Sequence, residues 1–381
     1  MAHDGSMMAG LQAPRDLRRV GAHPDHWYPV AWSDALAPGK IVPVEFAGEP
    51  IAVARTKAGK LFAVEDRCAH RQVPLHKGVV EGETLRCNYH GWAYNQAGAC
   101  VDVPYLGKQR LPNGVRPYPV AETGGLIFVF PGDRCRAETT PLPTIGASQD
   151  PRYKTRRLNR DVAAHYTFMH ENLFDMNHQF LHRRQMGSIK AKCLGRRKAQ
   201  VGEGDWIEVD YTFSREAGRQ SAGEAVIVNL MRKPEIGANG TRGDFTDLMT
   251  IGTRYPYQDL RVWVGREGEV GDPVLSVWLG YLPLGRDQRA NRTFGTLSVL
   301  KPPVPGLIHA AWPLVTWFTE KIFTEDKDIV EQEQAAHDAQ GGDWNNEVFP
   351  VIRDLRDLLA RCGEPDACPT NSLPLGIQAA E

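Results

Sequence analysis

The sequence has no long apolar run: no stretch approaches the roughly eighteen uninterrupted apolar residues that identify a membrane-spanning helix. The first residues, MAHDGSMMAGLQAPRDLRRVG, lack the apolar centre of a signal peptide. An excess of one charge is also missing, because 45 Lys and Arg against 46 Asp and Glu leave a net charge of -1. We therefore expect a cytoplasmic protein whose partners include neither a membrane nor a nucleic acid.

Cysteine is sparse, with seven residues in a chain of 381. Two of them stand beside histidines in a segment described below. The others form an odd, scattered remainder: Cys100, Cys135, Cys193, Cys362 and Cys368. This remainder is unlike the paired framework of a small secreted protein and fits a reducing compartment. Internal repeats and low-complexity blocks are missing too, and the length suffices for two globular domains.

The segment CAHRQVPLHKGVVEGETLRCNYH contains two pairs of metal-binding residue types. Cys68 and His70 are one residue apart, sixteen residues follow, and Cys87 and His90 then form a second pair. Two thiolates and two imidazoles predict a metal site, but zinc modules usually pair Cys with Cys and His with His. The mixed pairing resembles the Rieske motif, in which both Cys bind one iron of a [2Fe-2S] cluster and both His bind the other. A zinc knuckle and chance are the alternatives.

Residues around these pairs agree with a cluster-binding module. Gly91 and Trp92 follow His90, and Pro74 lies between the two pairs. Rieske proteins of respiratory complexes also carry a disulfide pair, which this chain lacks, so soluble Rieske oxygenases are the nearer resemblance. Short strand-like runs punctuated by Gly and Pro predict an all-β module followed by a linker at 141–150; the runs are 40–46, 51–56, 61–64, 84–86 and 125–130.

Residues 161–185 are predicted to form one helix. At 100° per residue, four polar residues fall on a stripe about 60° wide: Glu171, Asp175, His178 and His182. The spacing of His178 and His182, at i and i+4, lets both imidazoles reach a single metal. An amphipathic helix with a solvated polar face is the alternative. His165 and His170 point elsewhere on the helix, and we expect them to be structural.

Asp326 is the predicted third metal ligand. Strand-like runs before it, at 206–213, 225–231, 247–257, 260–264, 273–282 and 292–300, predict a half-buried antiparallel sheet. A helix then follows over 306–340, with a break expected at Pro313. Asp326 lies within an apolar stripe of that helix, where a carboxylate is costly unless it is paired or binds a metal. Glu325 and Asp328 lie off the stripe and are expected to face solvent. Two His and one carboxylate form the facial triad of non-haem Fe(II) oxygenases; a salt bridge or backbone cap by Asp326 is the alternative.

The stretches ENLFDMNHQFLH and TEDKDIVEQEQ, together with the Rieske motif, resemble the oxygenase component of Rieske non-haem iron oxygenases from about residue 26 to 360. The resemblance implies an α+β protein. A flexible arm (1–25) is expected before an all-β Rieske domain with its linker (26–150). A catalytic domain (151–363), with an antiparallel sheet covered by helices, and a tail (364–381) would follow. The implied ligands are Cys68, His70, Cys87 and His90 for the cluster, and His178, His182 and Asp326 for iron.

The resemblance also implies partners and an activity. Asp175 matches the family's aspartate that bridges a cluster histidine of one subunit and an iron histidine of the next, in a head-to-tail homotrimer. Many members separate their two iron histidines by five residues, whereas this chain has the shorter spacing of four. A ferredoxin or flavin reductase would supply electrons, and O2 would hydroxylate or O/N-demethylate a small aromatic or cyclic substrate. Arene cis-dihydroxylation, or a Rieske electron carrier with a partner-binding domain, are the alternatives.

Overall fold

Short strands dominate the first third of the chain in this computed structural model, which describes residues 16–106, 114–200, 204–217, 248–264 and 271–365. The strands in this part are β1 Val20–Gly21, β2 Tyr28–Trp32, β3 Ile41–Phe46, β4 Glu49–Arg55, β5 Leu61–Glu65, β6 Val79–Glu81, β7 Thr84–Arg86, β8 Ala93–Asn95, β9 Cys100–Asp102, β10 Pro117–Tyr118, β11 Val120–Thr123 and β12 Leu126–Val129. The predicted all-β module is confirmed, and each predicted run before residue 130 overlaps one of these strands.

Three small antiparallel sheets organise these strands, in the orders β10-β5-β4-β3, β11-β12-β2 and β6-β7-β8-β9. Residues 51–54 of β4 are buried on both faces, which explains their uninterrupted apolar sequence IAVA. The sheet β6 to β9 belongs to a separate buried cluster that includes Leu75, Leu85 and Tyr94. This cluster also includes Cys68 and Cys87.

A seven-stranded antiparallel sheet forms the second part of the molecule, in the order β13-β19-β18-β17-β16-β15-β14. Its strands are β13 Tyr153–Val162, β14 Ser188–Lys198, β15 Trp206–Ala217, β16 Leu248–Arg254, β17 Tyr257–Trp263, β18 Leu275–Leu284 and β19 Ala290–Leu300. The predicted sheet is confirmed, but the run 247–257 ends at Arg254 because Pro256 cannot donate to a strand ladder. The predicted strand 225–231 lies outside the described residues. A last short strand, β20 Glu364–Pro365, pairs with β1.

The two β regions pack directly on one another. Strand β2 crosses β18 at Gly280, where an added Cβ would lie 2.9 Å from Cγ of Pro29. Only a glycine admits this approach. One buried apolar cluster extends across the contact and includes Tyr28, Phe128 and Trp278.

Five α-helices accompany the sheets in the described part of the chain: α1 Arg134–Ala137, α2 Tyr166–Phe174, α3 Arg183–Met186, α4 Leu307–Gln340 and α5 Pro350–Cys362. None of them combines the length and apolar character needed to cross a membrane. The helix α4 runs unbroken through Pro313, so the predicted break is wrong. Proline removes one backbone hydrogen bond, and burial of Val315 and Phe318 just beyond it offsets that loss.

The prediction of one helix over 161–185 is also wrong. Strand β13 continues to Val162, and α2 ends at Phe174. Asp175 has extended backbone angles, and its carboxylate accepts a hydrogen bond at 2.8 Å from the N–H of Asn177. It thereby caps a short 3-10 helix, Met176–Phe180, before α3 begins. The aspartate side chain competes with the helical hydrogen-bond pattern, which a helical wheel does not take into account.

Candidate metal centres

The two Cys-His pairs lie on two neighbouring turns, of which the first follows β5 and the second joins β7 to β8. The N–H of Cys68 bonds the Val73 carbonyl at 2.9 Å, and the N–H of Cys87 bonds the Trp92 carbonyl at 2.8 Å. Gly91, with φ of 73°, lets the second turn close directly after His90. Both turns therefore bury a thiol and present an imidazole outward: Cys68 and Cys87 are 2% and 4% exposed, whereas both histidines are exposed.

The two exposed imidazoles converge. The ring centroids of His70 and His90 are 4.6 Å apart, and His70 stacks on Trp92 at 4.7 Å with an interplanar angle of 3°. Burial raises the pKa of the Cys87 thiol, so a neighbouring cation is needed to keep it as thiolate near neutral pH. Two buried sulfurs and two converging imidazoles fit the two ends of a [2Fe-2S] cluster with two Cys and two His ligands.

Tyr94 and Asp66 support these turns, and the sequence interpretation overlooked both. The Tyr94 hydroxyl lies 3.2 Å from Cys68 Sγ and accepts a hydrogen bond at 3.1 Å from the N–H of Ala69. Asp66 accepts a hydrogen bond at 2.7 Å from the N–H of His76 and also contacts its ring. In the sequence, the apolar, strand-like neighbours of Tyr94 indicate only a core residue. The strand register, which pairs Tyr94 with Leu85, is what places it behind the two turns that carry the Cys-His pairs.

The residues His178, His182 and Asp326 meet although they come from three different elements. His178 belongs to the 3-10 helix, His182 immediately precedes α3, and Asp326 lies in α4. One ligand atom from each lies within 4.8 Å of the others. Asp326 Oδ1 is 3.1 Å from His182 Nε2 and 3.7 Å from His178 Nε2. The break in the predicted helix therefore does not separate the two histidines.

This arrangement fits a divalent metal. His182 Nε2 and Asp326 Oδ1 are buried and have no hydrogen-bond partner, which is costly for polar atoms unless a cation binds them. Burial lowers the pKa of His182, but the carboxylates of Asp326 and Glu325 outweigh burial and raise it above its usual value. Two imidazole nitrogens and one carboxylate oxygen are the donor set of non-haem Fe(II) sites with open coordination positions.

Both imidazoles turn their other nitrogen away from the metal position. His178 Nδ1 contacts the backbone carbonyl of Asp175, and His182 Nδ1 lies 2.8 Å from Glu325 Oε2. The expectation that Glu325 faces solvent is therefore wrong: it lies next to Asp326 on α4, and the turn that carries His182 packs against it. Asp328 is exposed, as expected.

The predicted polar stripe does not stay together. Glu171 pairs with Arg18 at 2.5 Å and with Arg356, away from the metal position. Asp175 is half-buried, and its Oδ1 accepts two hydrogen bonds from Asn177, at 2.8 and 2.9 Å. Because α2 ends at Phe174, between Glu171 and Asp175, the two carboxylates face different surroundings. His165 and His170 are buried, in agreement with structural roles.

A cavity borders Asp326. Its lining includes apolar side chains from the sheet, α2 and α4: Leu158, Val162, Met169, Leu173, Leu279 and Phe323. The ring of Tyr281 also lines this cavity. Asp326 therefore belongs to both the triad and the lining of the cavity.

Comparison with known proteins identifies the class. Residues 26–119 match the Rieske [2Fe-2S] domain, and residues 162–350 match the vanillate O-demethylase oxygenase C-terminal domain. The chain belongs to the Rieske non-haem iron oxygenases, enzymes with a [2Fe-2S] cluster and a mononuclear iron. It is 31% identical to the 4beta-methylsterol monooxygenase of Methylococcus capsulatus (strain ATCC 33009 / NCIMB 11132 / Bath) over 362 residues, 91% of this chain and 90% of that protein.

Two further similarities agree. The dicamba O-demethylase oxygenase component of Stenotrophomonas maltophilia is 32% identical over 181 residues, which are 47% of this chain and 53% of that protein. The crystal structure of dicamba monooxygenase bound to dicamba superposes with a TM-score of 0.67 at 22% identity, covering 89% of this chain and 97% of that one. This superposition confirms the predicted fold class, an all-β Rieske domain followed by an α+β domain.

Proposed function

We propose that the protein is the terminal oxygenase of a cytoplasmic multicomponent Rieske system. It would use O2, and electrons from a ferredoxin or flavin reductase, to hydroxylate or O/N-demethylate a small aromatic or cyclic substrate. The observation that carries this proposal is the convergence of His178, His182 and Asp326, with ligand atoms within 4.8 Å, beside an apolar cavity. An electron carrier would need neither the triad nor the cavity.

In this proposal the chain divides its work between two domains, residues 26–150 and 151–363, and the described residues on either side of them pair as β1 and β20. Cys68 and Cys87 hold one iron of the cluster, and His70 and His90 hold the other. His178, His182 and Asp326 hold the mononuclear iron. When bound, the cluster supplies single electrons and the mononuclear iron supplies O2 activation. The protein orients the imidazoles and lines the substrate position with apolar side chains that exclude water.

The cavity favours an uncharged group beside the iron. Arg160 and Lys327 are its cationic lining residues, and each already has an acidic partner: Glu320 bonds Arg160, and Glu331 lies 3.6 Å from Lys327. Glu320 also pairs with Arg156, so the preference for an uncharged group rests on the apolar majority of the lining residues. A methyl group or ring C–H of a neutral cyclic molecule matches this lining. The similarity to a methylsterol monooxygenase along almost its whole length supports monooxygenation over cis-dihydroxylation.

Asp175 is proposed as the route for electrons between subunits of a homotrimer. It precedes His178 by three residues, and its carbonyl contacts the Nδ1 of that histidine. Asn177 holds Oδ1 of the carboxylate, while Oδ2 forms no hydrogen bond to any described residue. Oδ2 is therefore available to accept a hydrogen bond from an exposed cluster histidine of a neighbouring copy.

Oxygen uptake tests the proposed reaction. The purified protein, supplied with a reductase and ferredoxin, is assayed against neutral cyclic methyl compounds, aromatic methyl ethers and aromatic acids. We expect substrate-dependent uptake, with one atom of ¹⁸O2 in a hydroxylated product or release of formaldehyde from a methyl ether, and the neutral compounds should be preferred. Incorporation of both atoms as a cis-diol would support the dioxygenase alternative, and reduction of the cluster without any oxygen uptake would contradict an oxygenase.

A further inference from the structure

A carboxylate lies directly behind one of the candidate iron ligands. Glu325 immediately precedes Asp326 on α4, and its Oε2 is 2.8 Å from His182 Nδ1. Its other oxygen, Oε1, accepts a hydrogen bond at 2.7 Å from Nε2 of Gln185. The His182 side chain is 2% exposed and that of Glu325 is 25% exposed, so the contact is largely shielded from water.

This contact determines which nitrogen of His182 carries the proton. A carboxylate can only accept hydrogen bonds, so Nδ1 must be the protonated nitrogen. In the neutral ring the lone pair then lies on Nε2, which is 3.1 Å from Asp326 Oδ1 without the geometry of a hydrogen bond. Nε2 is therefore the atom that is ready to bind a metal.

The two candidate histidine ligands are supported unequally. The partner of His178 Nδ1 is the neutral backbone carbonyl of Asp175, whereas His182 Nδ1 has an anionic partner. A charged acceptor makes the imidazole a more basic ligand than a carbonyl does. Hence the side chain of Glu325 affects metal binding through His182, although it does not reach the metal position itself.

Gln185 keeps Glu325 in place. Gln185 lies in α3, and its N–H donates a hydrogen bond to the His182 carbonyl at 2.9 Å. His182 and Gln185 therefore belong to the same turn of the chain. Glu325 thus connects α4 to the side chains of His182 and Gln185. An acid that only increased the solubility of α4 would not have both oxygens engaged by partly or fully buried side chains.

We propose that Glu325 is a positioning residue that holds His182 in the Nδ1-protonated form and strengthens binding of the mononuclear metal. This inference rests on the proposed function, in which His178, His182 and Asp326 hold that metal. It makes Glu325 part of the iron site without making it a ligand.

The test measures metal affinity in the full-length protein, with its cluster intact and its mononuclear site emptied by a mild chelator. Co(II) is titrated into wild type, Glu325→Ala, Glu325→Gln and a control, Asp328→Asn, which removes an exposed charge two residues after Asp326. We expect Glu325→Ala to weaken the Co(II) Kd by about 10- to 100-fold and to change the ligand-field spectrum. Glu325→Gln should lose less, because an amide oxygen still accepts from Nδ1. Asp328→Asn should bind like wild type.

Equal Co(II) affinity in all four proteins, with only a lower Tm in the Glu325 variants, would overturn the proposal and leave Glu325 a structural link between helices. If Glu325→Ala does not fold, the comparison of Glu325→Gln with Asp328→Asn still decides the question. Wild-type protein that binds no Co(II) after chelation would overturn the assignment of the triad, and with it this inference. Failure of the proposed function can therefore be told from failure of the Glu325 proposal, because only the former changes the result for the wild type.

Discussion

Replacing Tyr94 by Phe should lower the reduction potential of the cluster. The Tyr94 hydroxyl accepts a hydrogen bond from Ala69, so its own proton is free to point at Cys68 Sγ, 3.2 Å away. Reduction adds negative charge to the cluster and strengthens that bond. A hydrogen bond to a charged group contributes about 1.5–3 kcal/mol, and we take about 1 kcal/mol of it as the difference between the two oxidation states. For one electron this corresponds to about 40 mV.

The potential can be followed by spectroelectrochemical titration of the visible cluster spectrum. Tyr118→Phe is a matched control, because Tyr118 is also buried in the all-β region but its hydroxyl contacts Glu49 Oε1 at 2.5 Å instead of a cysteine. We expect a shift to lower potential in Tyr94→Phe and none in Tyr118→Phe. An unchanged potential in Tyr94→Phe, or an equal shift in both variants, would refute the proposed hydrogen bond to Cys68.

Two other substitutions test separate features. Asp175→Asn should keep both metal centres but slow electron transfer between cluster and iron in single-turnover experiments; an unchanged rate would exclude the bridge. Burial lowers the pKa of His170 to about 3, so between about pH 3 and 6.5 the unfolded chain binds a proton that the folded chain does not. The stability that depends on neutral His170 is complete above pH 6.5 and is lost on acidification, by about 1.4 kcal/mol per pH unit. His170→Phe retains a ring against Tyr166 and Tyr281. Between pH 7 and pH 5, the unfolding free energy of the wild type should decrease by about 2 kcal/mol more than that of this variant. Equal losses in urea titrations of the two proteins would contradict this.

Local patterns account for what was predictable from the sequence. Each Cys-His pair occupies one tight turn, so the spacing of the residues already fixes which of them can approach each other. The strands of the large sheet alternate in apolar character, as Ile207 and Val209 do, and both of these residues are buried. For such features, residues that are close together in the sequence determine the geometry.

The errors arose where a side-chain contact overrides the periodicity of the sequence, locally at Asp175 and over a long distance in the chain at Glu325. Asp175 ends a helix because its side chain bonds the backbone, and periodicity alone continues the helix through it. Glu325 lies off the apolar stripe of α4, yet His182 approaches it from another element. His178 and His182 were expected to share one helix face; they still meet, because a 3-10 helix and a cap bring them close to Asp326.

We conclude that one chain holds both a Rieske cluster and a separate mononuclear iron, and iron analysis can establish this. Iron and acid-labile sulfide are measured in wild type and in Asp326→Ala. We predict three irons per two sulfides in wild type. The variant should contain two irons, with the visible spectrum of the cluster unchanged. Two irons in wild type, or full iron content in Asp326→Ala, would contradict the claim.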